Sequence, residues 1–360
     1  MGARFEGRVR VDHSLDWLTI ALLPGLGPRT ARELAARASL GDVLRRPKHH
    51  RDLLPEGALS RLQTGEARRA AEMEMRRAEA LGVCIVAVDA PEYPPLLREI
   101  YDPPAVLWVL GRLSGPEAGP PLAIVGTRGA SPQGRALARG MARDLAAAGA
   151  TIVSGLARGI DAAAHEGALE AGGRTLAVLG SGVDRVYPPE NGALAARIGA
   201  HGAVISELPL GTAPFASNFP KRNRIIAGLC QAVVVVEAPK RSGALVTARL
   251  ALDEGRDVFA VPGHPAAPGS AGTNALIRDG AVLVRGAGDV AEGIGACLEG
   301  APEAEPADEV LRALERDVPR SLDEIQQRSG RPTAELLSRL TALEMADRVR
   351  RLPGTLFVRS

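Results

Sequence analysis

Residues Leu122–Pro132, LAIVGTRGASP, decide how the rest of the chain is read. A short apolar run stops at Gly126. The turn after it carries one arginine, Arg128, and a helical pattern then runs from Gln133 to Ala148. A strand that turns tightly into a helix directs backbone N–H groups, and here a guanidinium, at one spot. That arrangement suits a phosphate.

The same unit repeats along the chain. From Leu122 to Leu298, apolar runs alternate with amphipathic segments. Strands are expected near 123–125, 151–154, 175–179, 203–206, 232–237, 257–261 and 281–284. Helices are expected at 133–148, 159–171, 192–199, 224–229, 244–254 and 273–279. Runs such as VVVV and LAVL are apolar throughout, as in strands covered on both faces. The pattern is that of a doubly wound, Rossmann-like α/β sheet, in which ligands bind at the carboxyl ends of the strands. The glycine turns fall at those ends: Gly126-Thr127-Arg128, Ser154-Gly155, Gly180-Ser181-Gly182 and Pro262-Gly263. Two further strands, Val83–Val88 and Ala105–Leu110, lead into this core.

The flanks differ in character. Residues 13 to about 80 read as helix. Within them LLPGLGPRTARELA resembles a helix-hairpin-helix, with a plain helical corner as the alternative. Glu66–Leu81 reads as a charged helix along a solvated face. Glu299–Asp308 is an acidic, Pro/Ala-rich linker. Beyond it, Ser321-Leu322-Asp323-Glu324 is a capping box, and three helices precede a hairpin around Pro353-Gly354, the outline of a winged helix. The expected organisation is a helical domain over 1–82, an extended Rossmann-like domain over 83–298, a linker over 299–308 and a winged helix over 309–360.

The bulk numbers exclude little. The 360 residues carry a formal charge of +2, too small to announce a nucleic-acid partner and no bar to a local basic patch. Lysine occurs only at Lys48, Lys221 and Lys240, so a basic cluster containing one is informative. Cys84, Cys230 and Cys297 lie far apart in apolar segments without metal-ligand spacing, and buried reduced thiols are expected. No apolar run reaches the ~18 residues of a membrane helix. The N-terminus lacks the apolar core of a signal peptide, so a cytoplasmic location is expected.

The glycine turns do not fit the common cofactors. A dinucleotide fingerprint needs G-x-G-x-x-G and an acid ~20 positions on. Here Gly126, Gly129 and Gly134 have another spacing, and the next strand ends in Ser154. The P-loop lysine and hydroxyl are missing, because Gly134 continues Arg135-Ala136. Ser154, Asp161 and His165 could be drawn as a triad, but Asp161 and His165 read better as a one-turn pair at a helix start. Glu207 and Glu237, at strand ends, read as holding loops or arginines rather than as an acid/base pair.

The basic residues gather in Phe215–Arg224, FASNFPKRNR. Phe215 and Phe219 lie beside Lys221, Arg222 and Arg224, and Asn223 adds an amide. Single-stranded nucleic acid uses such surfaces: bases stack on the rings and cations neutralise phosphates. A loop and helix start with Phe buried beneath it is the alternative.

These blocks carry a family resemblance. IVGTRGASPQG, IVSGLARGIDAAAHEGAL, AVLGSGVDRVYPPEN, ISELPLG, FPKRNRIIAGL, VVVVEAPKRSGALVTARLALDEGRDVFAVPG and GSAGTNALIRDGA resemble, in order, the DprA (Smf) family of DNA-processing proteins, over about Pro91–Val284. The resemblance implies a recombination mediator in natural transformation rather than an enzyme. Such a protein binds incoming single-stranded DNA, protects it and loads RecA. It needs no cofactor and no metal and has no membrane partner. It also implies a homodimer joined through the cores, with Leu276 and Ile277 in the segment that resembles the contact. Carried over, Arg128 in its turn with Gly126 would hold a phosphate. Phe219, Lys221, Arg222 and Asn223, with the neighbouring Arg224, would complete the pocket, and Ser154 and Gly155 would supply hydroxyl and backbone donors. The roles of the terminal domains, including contact with double-stranded DNA, stay open. Two other readings are a nucleotide phosphoribosyl hydrolase, with Ser242–Thr247 as its phosphate loop, and a regulator acting through the winged helix alone.

Overall fold

A computed structural model describes residues 14–113, 119–295, 309–314, 318–345, 349–352, 354 and 356–359. Its contacts divide the chain into two compact units, Met1–Gly300 and Ala301–Ser360.

The larger unit is built on a nine-stranded sheet: β1 (Val83–Ala87), β2 (Val106–Gly111), β3 (Pro121–Val125), β4 (Thr151–Ser154), β5 (Thr175–Val178), β6 (Ala203–Ser206), β7 (Ala232–Val235), β8 (Asp257–Ala260) and β9 (Val282–Leu283). The spatial order is β1-β2-β6-β5-β4-β3-β7-β8-β9. From β6 to β9 every pair is parallel, while β1–β2 and β2–β6 are antiparallel. The doubly wound sheet expected from the sequence is therefore present, extended at one edge by an antiparallel pair.

Alternation along the strands sends neighbouring residues to opposite faces. Leu122 and Ile124 pack with α1 (Pro132–Ala147) and α2 (Ile160–Glu170). Ala177 and Val204 pack on that same face with α3 (Gly192–His201) and the N-terminal helices. On the other face, Ala123, Val125, Val233 and Val235 pack with α4 (Asn218–Leu229) and α5 (Gly243–Asp253). A shorter helix, α6 (Ala271–Arg278), follows β8.

Helix α4 begins at Asn218, six residues before the start expected from the sequence. Pro220 occupies its first turn, where the missing N–H has no intrahelical acceptor to lose, so the proline does not stop the helix. FPKRNR is thus two helical turns rather than a loop.

The N-terminal helices run over 14–21, Pro28–Arg37, Leu40–Arg45, Glu56–Gln63 and Glu66–Ala80. Leu18, Ile20 and Leu34 share a core with Val106 and Trp108 of β2. The helix at Glu66 is not merely a solvated element. It buries Ala67, Ala71, Ala78 and Glu74. The Glu74 carboxylate accepts from Trp108 Nε1 at 3.0 Å and from the Leu210 N–H at 2.7 Å, which satisfies the buried charge. The cysteines also depart from expectation. Cys230 is buried, and burial pushes its thiol up, but Cys84 is exposed on β1. Cys297 and the 299–308 linker lie outside the described residues.

The second unit holds helices Glu309–Arg312, Leu322–Ser329 and Thr333–Met345. Beside them is a three-stranded antiparallel sheet in which Leu356–Arg359 lies between Arg320–Ser321 and Val349–Leu352. The capping box is made: Ser321 Oγ accepts from the Glu324 N–H at 3.3 Å, and the Ser321 N–H donates to the Glu324 carboxylate at 2.8 Å. Val310, Ile325, Leu336, Leu340 and Phe357 form its core. Among the described residues, no helix is long and apolar enough to cross a membrane.

Candidate nucleic-acid interface

The chain leaves β3 toward one side of the sheet through β4, β5 and β6, and returns to β3's other side as β7. The turn after β3 leads to α1 on one face and the turn after β7 leads to α5 on the other. The two connections diverge and leave a crevice at the strand carboxyl ends, the place where open α/β sheets bind ligands. A cleft of about 600 Å³ opens there. Gly126, Thr127 and Arg128 line one wall, Arg241, Ser242 and Gly243 the other, with Tyr187, Phe219, Arg222 and Asn223 between them.

Packing holds the first turn. A Cβ at Gly126 would lie 2.4 Å from Ile160 Cγ1, so only glycine allows the close approach of α2. The Thr127 N–H donates to the Glu237 carbonyl at 2.7 Å. Glu237 Oε2 accepts from the Ser131 N–H at 2.9 Å and from Ser131 Oγ at 3.1 Å. Glu237 thus clamps the turn to the end of β7, and Glu207 pairs with Arg224. Both carboxylates hold structure, as the sequence suggested.

Arg128 is exposed, and its guanidinium lies 5.2 Å from the centre of the Phe219 ring. Arg222 lies 6.0 Å from the same ring, and Tyr187 tilts against it at 5.8 Å. The ring is flanked by two cations and a second aromatic. Stacked bases and guanidinium groups favour such a surface.

Arg222 is only 5% exposed. Nη1 donates to the Val178 carbonyl at 2.7 Å, and Nε has no partner among the described residues. Burial lowers its pKa to about 10, so it remains a cation at neutral pH. Its guanidinium occupies the space above Gly155, where a Cβ would fall 1.8 Å from Nη1. Asp161 is buried beside it. Burial pushes this carboxyl up, while Arg222 and the N–H groups of Ala157, Gly126 and Gly155 oppose that rise.

The N–H groups of Ala157, Gly126 and Gly155 surround the Asp161 carboxyl, and the Ala157 N–H donates to it at 3.4 Å. The contacts correct the donor role expected of Ser154. The Ser154 hydroxyl donates to the Ile124 carbonyl at 2.6 Å, and the residue is wholly buried. Gly155 makes room for Arg222 and lines a narrow annex with Arg128, Arg158, Tyr187 and Phe219. The sequence reading set the triad aside, and the contacts agree: His165 Nδ1 lies 2.7 Å from Thr175 Oγ1, and the Ser154 hydroxyl is bonded to the Ile124 carbonyl.

The helical period of α4 divides the basic cluster. Phe219, Arg222 and Asn223 are spaced at i, i+3 and i+4 and face the cleft. Lys221 and Arg224 face elsewhere and line a separate pocket of about 330 Å³ with Gly27 and Pro28 of the N-terminal hairpin. Arg224 is paired with Asp102 at 3.3 Å and with Glu207. Asn223 Nδ2 donates to the Gly243 carbonyl at 3.3 Å and ties α4 to α5. Phe215 is exposed and does not line the cleft. Leu276 and Ile277 are half-buried on α6, outside the cleft, and Leu276 packs against the core.

Sequence reasoning missed Tyr187, Arg241 and the start of α5 as partners of Arg128. One signal was legible: Lys240-Arg241-Ser242-Gly243 follows a strand and opens a helix, as Gly126–Ser131 does. Leu156, in the loop after β4, adopts φ 57°, a left-handed conformation that costs a non-glycine residue energy.

Residues 84–295 match the family model described as DNA recombination-mediator protein A, and residues 299–355 match one described as the DprA winged helix domain. Protein Smf of Escherichia coli is 40% identical over 285 residues, 75% of this chain and 76% of that protein. Among solved structures, DNA processing protein A from Streptococcus pneumoniae matches with a TM-score of 0.66 and 36% identity, over 77% of this chain and 95% of that one. DNA processing protein A from Helicobacter pylori, described for its single-stranded DNA binding mode, matches with a TM-score of 0.51 and 29% identity, over 56% of this chain and 92% of that one.

Proposed function

The chain belongs to the DNA recombination-mediator protein A family, and from that membership we propose that its switch-point cleft binds single-stranded DNA. The observation that carries this reading is the Phe219 ring, set in a cleft between the guanidinium groups of Arg128 and Arg222 with Tyr187 beside it. The rings offer stacking to any base and the cations neutralise phosphate, so recognition is independent of sequence. The Helicobacter pylori relative's described single-stranded DNA binding supports the same reading.

Within this reading the protein is a non-enzymatic mediator in the cytoplasm. It covers incoming single strands, passes them to the RecA recombinase during transformation or repair, and acts as a homodimer with Leu276 and Ile277 near the contact.

A paired gel shift on single- and double-stranded oligonucleotides at two salt concentrations tests it. The wild-type protein is expected to prefer the single strand, and Phe219→Ala to lose about 1–3 kcal/mol of that binding. Equal affinity for both forms, or a folded Phe219→Ala protein with unchanged affinity, contradicts the proposal.

A further inference from the structure

We propose that the cleft holds a second phosphate of the bound strand, at a position formed by Arg241 and the first turn of α5, apart from the phosphate held by Arg128. The inference rests on the reading of the cleft as a single-strand site and deepens it. β3 and β7 are adjacent and parallel, with Val125 opposite Val235. Arg128 follows β3 and Arg241 follows β7, so the two cations stand on opposite walls of one crevice.

The Arg241 wall is built for an anion. Arg241 is exposed, and no carboxylate pairs with it among the described residues. By contrast, Arg139, Arg158 and Arg285 are each paired. Ser242 caps α5, its Oγ accepting from the Ala244 N–H at 3.3 Å. The Gly243 N–H, at the first position of this eleven-residue helix, has no protein acceptor among the described residues, and the space a Gly243 Cβ would occupy is open. The positive end of the helix adds to the field there.

An independent feature of the same cleft also calls for an anion. Arg222, more than nine-tenths buried, lines the cleft, its Nε unpartnered among the described residues. Its buried guanidinium puts a further positive charge beside the cleft, which a phosphate between the walls would neutralise. Three arginines line the cleft against one carboxylate, Asp161, which is already surrounded by Arg222 and backbone N–H groups.

The test is a salt series of binding isotherms, by fluorescence anisotropy, for the full-length protein and a polythymidylate oligonucleotide without a terminal phosphate. Wild type, Arg128→Ala, Arg241→Ala and the double variant are compared, with thermal melts to establish that each is folded. Each single substitution is expected to reduce the slope of log affinity against log salt by about 0.7, and the double variant by about 1.4. A wild-type slope for Arg241→Ala, or a double variant no different from Arg128→Ala, overturns the second position and leaves the single-strand reading standing. Absence of single-strand binding by the wild type, or a wild-type slope for Arg128→Ala, overturns that reading and this inference with it.

Discussion

His165 shows how a motif residue is absorbed into the core. Its ring lies wholly buried in α2, its Nδ1 2.7 Å from the Thr175 hydroxyl, which in turn donates to the Ile152 carbonyl. Burial, with the Arg222 charge second, lowers its pKa to about 3. The folded protein therefore keeps it neutral where the unfolded chain, near the ordinary value of ~6.5, takes up a proton. The stability this preserves is fully present above ~pH 6.5 and falls as the pH drops from there toward the folded value. Between about pH 7 and pH 5.5 its contribution falls by roughly 1.3 kcal/mol. Urea denaturation at the two pH values should show that much greater loss in wild type than in His165→Asn. Equal losses would remove His165 from the account. At this scale the sequence revealed residues whose chemistry is advertised by type: Arg128 in a glycine turn, and Phe219 beside cations. It concealed Ser154, because its hydroxyl bonds the Ile124 carbonyl, a contact thirty residues away that depends on how β3 and β4 pair.

The elements were legible where periodicity is strong. The parallel strands β3 to β8 are mostly apolar and buried because helices cover both faces, and each strand, the exposed edge strand β9 included, was readable within a residue or two. Helix α4 was not, because Pro220 looks like a break until its place in the first turn is known. That one shift decides which side chains meet. As a loop, FPKRNR offers all its cations together; as a helix, it gives Arg222 to the cleft and Arg224 to Asp102 and Glu207. Arg224→Ala leaves two partly buried carboxylates unpaired and is expected to cost about 3 kcal/mol in stability. Lys221→Ala, on the same face but unburied, should change neither stability nor the salt slope of single-strand binding. Denaturant midpoints and binding isotherms on the two variants check this. A reduced salt slope for Lys221→Ala would place the strand on the other face of α4.

At the scale of the whole molecule, the doubly wound sheet explains where the site is and why it resembles a nucleotide pocket without the usual motifs. Strand order reverses between β3 and β7, the connections part to opposite faces, and a crevice forms whatever the ligand. The turn after β3 is stitched to Glu237 and backed by Asp161, which leaves Arg128 projecting at the rim. What the sequence could not reveal was the opposite wall, because Arg241 comes near Arg128 only once β7 is inserted beside β3. The winged helix has its own core and its own capping box, so its fold does not depend on this crevice. The central claim, that single-stranded DNA lies in the crevice, is tested most directly by photocrosslinking an oligonucleotide carrying 5-iodouracil to the full-length protein and identifying the modified peptides. The account predicts attachment at Phe219 or Tyr187, whose rings line the cleft. Attachment confined to the N-terminal helices or to residues 309–359, with the cleft peptides unmodified, would contradict it.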